Sequence, residues 1–92
     1  MMTDNYETTL AIPPGAFLQE ELEARVLSVQ QLAEAMGRSQ GELADVLSGE
    51  RPLTPELAID LEKALGTPAY MWVRLEAEYR LTLARLARAQ TA

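Results

Sequence analysis

Ser28-Val29-Gln30-Gln31-Leu32-Ala33-Glu34-Ala35-Met36-Gly37-Arg38-Ser39-Gln40-Gly41-Glu42-Leu43-Ala44-Asp45-Val46-Leu47-Ser48-Gly49 holds two helix starts and two helix stops in 22 residues. Ser28-Val29-Gln30-Gln31 has the form of a capping box, in which the Ser hydroxyl accepts from the backbone three residues on and the Gln reaches back. The helix it opens carries Leu32, Ala33 and Met36 and stops at Gly37, a residue suited to the left-handed cap conformation. After Gly37-Arg38 a second box, Ser39-Gln40-Gly41-Glu42, opens a helix carrying Leu43, Val46 and Leu47 that stops at Gly49. Ala33 is small where the first helix must approach the second, Gly37 follows four residues later, and Leu43 six after that. Leu32, Met36 and Val46 complete the expected buried set. Two helices joined by a short turn with Gly at its start have helix-turn-helix geometry. An ordinary helical hairpin can use the same residues, so the spacing alone leaves both readings open.

Outward from this stretch the punctuation stays helical. Downstream, Thr54-Pro55 opens a helix with Leu57, Leu61 and Leu65 on one stripe and Gly66 as its stop. Thr67-Pro68 opens another that meets no breaker until about Gln90. Upstream, Pro13-Pro14-Gly15 starts a helix in which Phe17, Leu18, Leu22 and Val26 fall at helical spacing, with an expected end near Arg25. Glu21 and Arg25 form a favourable pair one turn apart on it. Leu and Ala number 29 against 6 for Ile and Val, a ratio that favours helix over strand. Tyr6, Leu10 and Ile12 fall on even positions, a weak hint of an extended segment, against which stands the simpler reading of a flexible tail with incidental apolar residues. The expected architecture is all-α: residues 1–12 as an N-terminal arm, and 13–92 as one five-helix domain with a long C-terminal helix.

Composition narrows the chemistry. The chain has 92 residues, 14 acidic against 8 basic, and a formal charge of −6, which opposes phosphate binding on its own terms. Without Cys or His there is no disulfide, no thiolate nucleophile, no imidazole base and no ordinary zinc site. No Gly-rich phosphate loop or long apolar run occurs, so no cofactor, metal, enzymatic site or membrane span is expected. Met1-Met2-Thr3-Asp4 lacks the basic and apolar regions of an export signal, which points to a cytoplasmic location.

The stretch Leu10-Ala11-Ile12-Pro13-Pro14-Gly15-Ala16-Phe17-Leu18, with Glu20-Glu21-Leu22-Glu23-Ala24-Arg25, resembles the opening of the HigA-like antitoxins. These belong to the XRE, lambda-repressor-like helix-turn-helix superfamily. The resemblance runs on through Leu27-Ser28, Gln31-Leu32-Ala33-Glu34-Ala35-Met36-Gly37 and Leu47-Ser48-Gly49-Glu50-Arg51-Pro52-Leu53-Thr54-Pro55-Glu56. It closes on Ala64-Leu65-Gly66-Thr67, Trp72 and Leu75-Glu76-Ala77-Glu78-Tyr79-Arg80-Leu81, so that Leu10 to Leu86, or 77 residues, is covered. It implies a dimeric, non-enzymatic protein that neutralises a small RelE-like or HigB-like ribonuclease toxin and represses its own operon at a palindromic operator. It also implies that Ser39 to Ser48 is the recognition helix, with Ser39, Gln40, Gly41, Ala44, Asp45 and Ser48 facing the bases. Phosphate contacts would come from Ser28, Gln30, Arg38 and Arg51. Gln40 can pair bidentately with adenine, and Ser can serve several bases. Ser28 and Ser39 are also good helix caps with or without DNA, and the two arginines can be plain surface charge.

The charge pattern modifies this picture. From Ser28 to Arg51 there are four acids against two arginines, and Val29 stands where relatives commonly carry Gln. Weak, salt-sensitive DNA affinity that a basic toxin reinforces is therefore expected. Residues 1–79 carry −9, while residues 80–92 carry +3 from Arg80, Arg85 and Arg88. An acidic body suits a basic ribonuclease as partner. Trp72, Leu75, Tyr79, Leu83 and Leu86 form a heptad-like stripe available to a homodimer, to the toxin or to the bundle itself. Tyr6, Leu10 and Ile12 are candidate toxin contacts. The alternatives are a repressor of the same fold without a toxin, and a degenerate helix-turn-helix that binds only protein.

Overall fold

A computed structural model of the chain describes residues 10–91. Tyr6, the first candidate toxin contact, lies outside the described residues, as does most of the proposed arm. The helices are α1 Pro14–Ala24, α2 Val29–Met36, α3 Gln40–Ser48, α4 Pro55–Leu65 and α5 Ala69–Thr91. Each boundary has a local cause. Pro14 and Pro55 sit in first turns, where a missing N–H costs nothing. Ser28, Ser39 and Thr54 accept from the backbone N–H groups of Gln31, Glu42 and Leu57.

The core is aliphatic with one aromatic. Leu18 and Leu22 from α1, Leu32 and Ala33 from α2, Leu43 and Val46 from α3, and Leu57, Ala58, Leu61 and Leu65 from α4 close around Trp72 of α5. Met36 packs against this cluster but is only partly buried. α3 rests on α1 and α2, and α5 on α4 and α1. Gly15 makes the first of these contacts possible: a Cβ there would overlap the backbone carbonyl oxygens of Val46 and Leu47. Arg25 ties α1 to α4 by donating from Nη2 to the Leu65 carbonyl at 2.7 Å.

Two expectations change. Val26 does not continue the α1 stripe: it lies beyond the helix end at φ 53°, with 89% of its surface exposed. The Leu27 N–H donates back to the Leu22 carbonyl across that turn, the bond of a left-handed helix terminus. The second capping box forms only in its first half. Glu42 does not return to Ser39, because its carboxylate accepts from Arg38 at 2.6 Å.

The molecule is 45 Å long and only 23 by 20 Å across, since α5 outruns the bundle. Its first half is anchored by Trp72 and Leu75, and by Glu76, which accepts from the Leu53 N–H at 3.1 Å. No described helix is long and apolar enough to cross a membrane.

Candidate nucleic-acid interface

The α2–α3 pair presents its polar residues on one side because its apolar residues are spent on the other. Leu43 and Val46 turn into the core, so Ser39, Gln40, Gly41, Ala44 and Ser48 are left exposed and Asp45 half-exposed. Of the ten sequence-predicted contacts, those six therefore share the outer face of α3. Gly41 stands apart. A Cβ at that position would meet nothing within 4 Å, and its backbone is ordinary helix, so neither packing nor conformation calls for glycine. What glycine does give is a bare patch of backbone on the first turn of α3, where a ligand can approach closely.

The remaining four positions differ in availability. Ser28 is exposed but occupied: its hydroxyl accepts from the Gln31 N–H at 3.0 Å, and its own N–H donates to the Gln31 side chain at 2.9 Å. Gln30, beside it on α2, is exposed, near backbone N–H groups whose partial positive charge suits an anion. Arg51 is half-exposed, with Nη2 3.7 Å from Asp45 Oδ2. That loose pair offsets the Asp45 carboxylate and leaves the guanidinium within reach of solvent. Ser48 donates to the Asp45 carbonyl at 3.0 Å, so its hydroxyl is partly spent on its own helix.

Arg38 sits in the α2–α3 turn, where the left-handed Gly37 (φ 68°) reverses the chain. Its guanidinium turns toward the protein. Nε and Nη2 donate to Asp60 Oδ2 on α4 at 3.0 and 2.7 Å, and Nη1 donates to Glu42 Oε2 on α3 at 2.6 Å. The hydrogen bonding of Arg38 to Asp60, with help from Glu42, outweighs burial and raises the guanidinium above its ordinary pKa. Asp60 escaped the sequence reading because its partner lies 22 residues away and no local pattern joins a turn arginine to a mid-helix aspartate.

The α5 stripe divides. Trp72, at 2% exposure, belongs to this chain's own core and has no surface left for a partner, which corrects its inclusion among interface residues. Its indole N–H has no hydrogen-bond partner among the described residues. Leu75 and Tyr79 are partly buried, and both line a shallow cleft of about 210 Å³ with Leu10, Ile12 and Phe17. Past Tyr79 the helix is uncovered: Leu81 is 51% and Leu83 36% exposed, with Leu86 partly buried. Leu10 and Ile12 are both exposed beside α5. No cluster of His, Cys, Asp or Glu among the described residues could hold a metal ion.

A helix-turn-helix family model matches residues 18–72, from the middle of α1 to the start of α5. The chain is similar to the uncharacterized HTH-type transcriptional regulator YddM of Escherichia coli (strain K12). The two are 34% identical over 85 residues, covering 85% of this chain and 90% of that one. Among solved structures, the Pseudomonas aeruginosa antitoxin HigA, determined with the higBA promoter, superposes with a TM-score of 0.82 at 30% identity, covering 89% of this chain and 90% of that one. An addiction module antidote protein of a HigA family from Coxiella burnetii gives 0.81 at 29% identity, covering 88% and 89%.

Proposed function

This chain belongs to the helix-turn-helix family, in the XRE-type group that includes the HigA antitoxins, and on that premise we propose that it is the antitoxin of a toxin–antitoxin module. Proteins of this family are DNA-binding regulators and not enzymes. In this reading a cytoplasmic homodimer represses its own operon through α3, and each subunit neutralises a small basic ribonuclease of the RelE or HigB type.

One observation carries the DNA-binding part: the outer face of α3 is open to solvent while its inner face is locked into the core. Gln40 is the best placed base reader, exposed in the first turn of α3. Gln30 and Arg51 flank it as phosphate contacts. Two α3 helices in a symmetric dimer would read half-sites about 34–36 Å apart. The test is a mobility-shift titration of the duplex upstream of its own gene, at several salt concentrations. Gln40→Ala should weaken binding about 5- to 100-fold and relax specificity at a single base position, as loss of one bidentate contact does. Arg51→Gln should weaken all sequences alike and flatten the salt slope by about 0.9. Indifference to both substitutions would sink the operator reading.

Support for the toxin part comes from charge and from the arm. Residues 1–79 carry −9, and Leu10 and Ile12 hold apolar surface in solvent beside α5. A chain lacking residues 1–12 should fail to relieve growth arrest when co-expressed with the adjacent toxin gene. Undiminished relief would remove the arm from the toxin contact. A protein-only role is favoured by one specific fact, the commitment of Arg38 to its own carboxylates. A repressor without a toxin would lack the neighbouring ribonuclease gene.

A further inference from the structure

Asp60 lies on α4, a helix that supplies no residue to the outer face of α3, yet it accepts two of the three hydrogen bonds that the Arg38 guanidinium makes. The third goes to Glu42, in the first turn of α3. One guanidinium thus bridges the start of the recognition helix to α4. Planar, multiply donated contacts of this kind fix direction as well as distance, which a point charge on Lys could not. Ser39 caps that same turn from the other side by accepting from the Glu42 N–H at 3.1 Å.

We propose that Asp60 is a positioning residue for DNA reading: through Arg38 it sets the orientation of the first turn of α3, and Arg38 is a clamp, not a phosphate ligand. The inference rests on the operator-binding reading. Its logic is electrostatic as well as geometric. For Arg38 to reach a phosphate it would have to break three charge-assisted hydrogen bonds and leave the Glu42 and Asp60 carboxylates uncompensated close to a polyanion. As placed, it holds Gln40 and Gly41 at a fixed tilt and offsets one of the two carboxylate charges beneath them.

Simple electrostatics and positioning predict opposite signs, so one substitution separates them. Asp60→Ala removes a negative charge near the DNA and leaves Arg38 held by Glu42 alone, and Ala is the best helix former for the middle of α4. If charge alone matters, affinity for the upstream duplex rises and the salt slope steepens by about 0.9, the signature of one new phosphate contact. If Asp60 positions α3, affinity falls about tenfold, near the worth of one base contact, with the salt slope unchanged. Asp60→Glu, which keeps a carboxylate within reach of Arg38, should restore most of the affinity.

A second measurement needs no DNA. Amide hydrogen exchange at Glu42, Leu43 and Ala44 should be faster in Asp60→Ala than in the wild type, with α1 unchanged and Asp60→Glu close to the wild type. Tighter or unaltered operator binding, or unaltered exchange in α3, would overturn the clamp. Failure of the wild type to shift its upstream duplex at any salt would instead defeat the operator reading, and the exchange comparison would still decide the clamp.

Discussion

Val26 and Gly41 are each at odds with local preference, in opposite ways. The helices α2, α3 and α4 end on Gly37, Gly49 and Gly66, each with positive φ, and α1 ends on a β-branched residue in the same conformation. A left-handed backbone costs an L-residue about 1–2 kcal/mol, and glycine escapes most of that while losing more chain entropy on folding. With its side chain in solvent, Val26 recovers little by burial. Val26→Gly should therefore raise stability by about 0.5–1 kcal/mol, a shift of several degrees in Tm for a domain this small. Urea denaturation checks it, and a loss of stability would show that Val26 has a role the monomer does not reveal. Gly41 is the reverse, a glycine the fold does not need. Gly41→Ala should gain about 0.5–1 kcal/mol by helix propensity. It should also weaken operator binding, by placing a methyl group on the face of α3 proposed to meet DNA. Melts and mobility shifts on the same preparation measure both, and tighter binding would mean that the bare backbone is not a contact. The left-handed conformation of Val26 could not be read from spacing: Val26 fits the α1 stripe, and an end near Arg25 does not mark a β-branched residue for positive φ just beyond it.

At the scale of elements, the helix boundaries were legible because caps are local chemistry. Ser28, Ser39, Thr54, Gly37, Gly49 and Gly66 each act through atoms within a turn of themselves, so their pattern in the chain is their pattern in the fold. The outer face of α3 was legible for the same reason, since Leu43 and Val46 fix which side is buried. Contacts between elements were not legible. Arg38 finds Asp60 on another helix, and Glu42 deserts its capping box for that arginine. Trp72 belongs to the core although its stripe continues into solvent. Gly15 shows how strongly such a contact constrains α3. Its missing side chain lets α1 meet the backbone of Val46 and Leu47, and backbone cannot rotate out of the way. Gly15→Ala should cost about 1–3 kcal/mol, the range for overpacking a tight contact. It should also reduce operator affinity beyond what the unfolded fraction explains, because relief requires α3 to move. Chemical denaturation with parallel mobility shifts tests this, and an unchanged midpoint would mean the α1–α3 contact is looser than its geometry.

For the whole molecule, the −6 is unevenly spread and its distribution bears on assembly. All 14 acids fall within residues 1–79, while α5 projects beyond the bundle bearing Arg85 together with exposed leucines. A helix end with apolar residues and no bundle beneath it gains by pairing, and a second copy supplies both an apolar stripe and an acidic body to set against Arg85. Substitution of Leu83 and Leu86 by Glu isolates this effect. Polar replacements on a helix face outside the core change monomer stability by roughly 0.5 kcal/mol at most. Circular dichroism of the Leu83→Glu/Leu86→Glu variant should therefore match the wild type. Association behaves differently. If the wild type dimerises through this end, its Tm climbs with protein concentration by mass action, and the double variant's Tm stays constant while it sediments as a monomer. A wild type that sediments as a monomer at micromolar concentration would remove the homodimer. It would also leave the exposed end of α5 free for the toxin, which restored sedimentation of a larger species on adding toxin would then reveal.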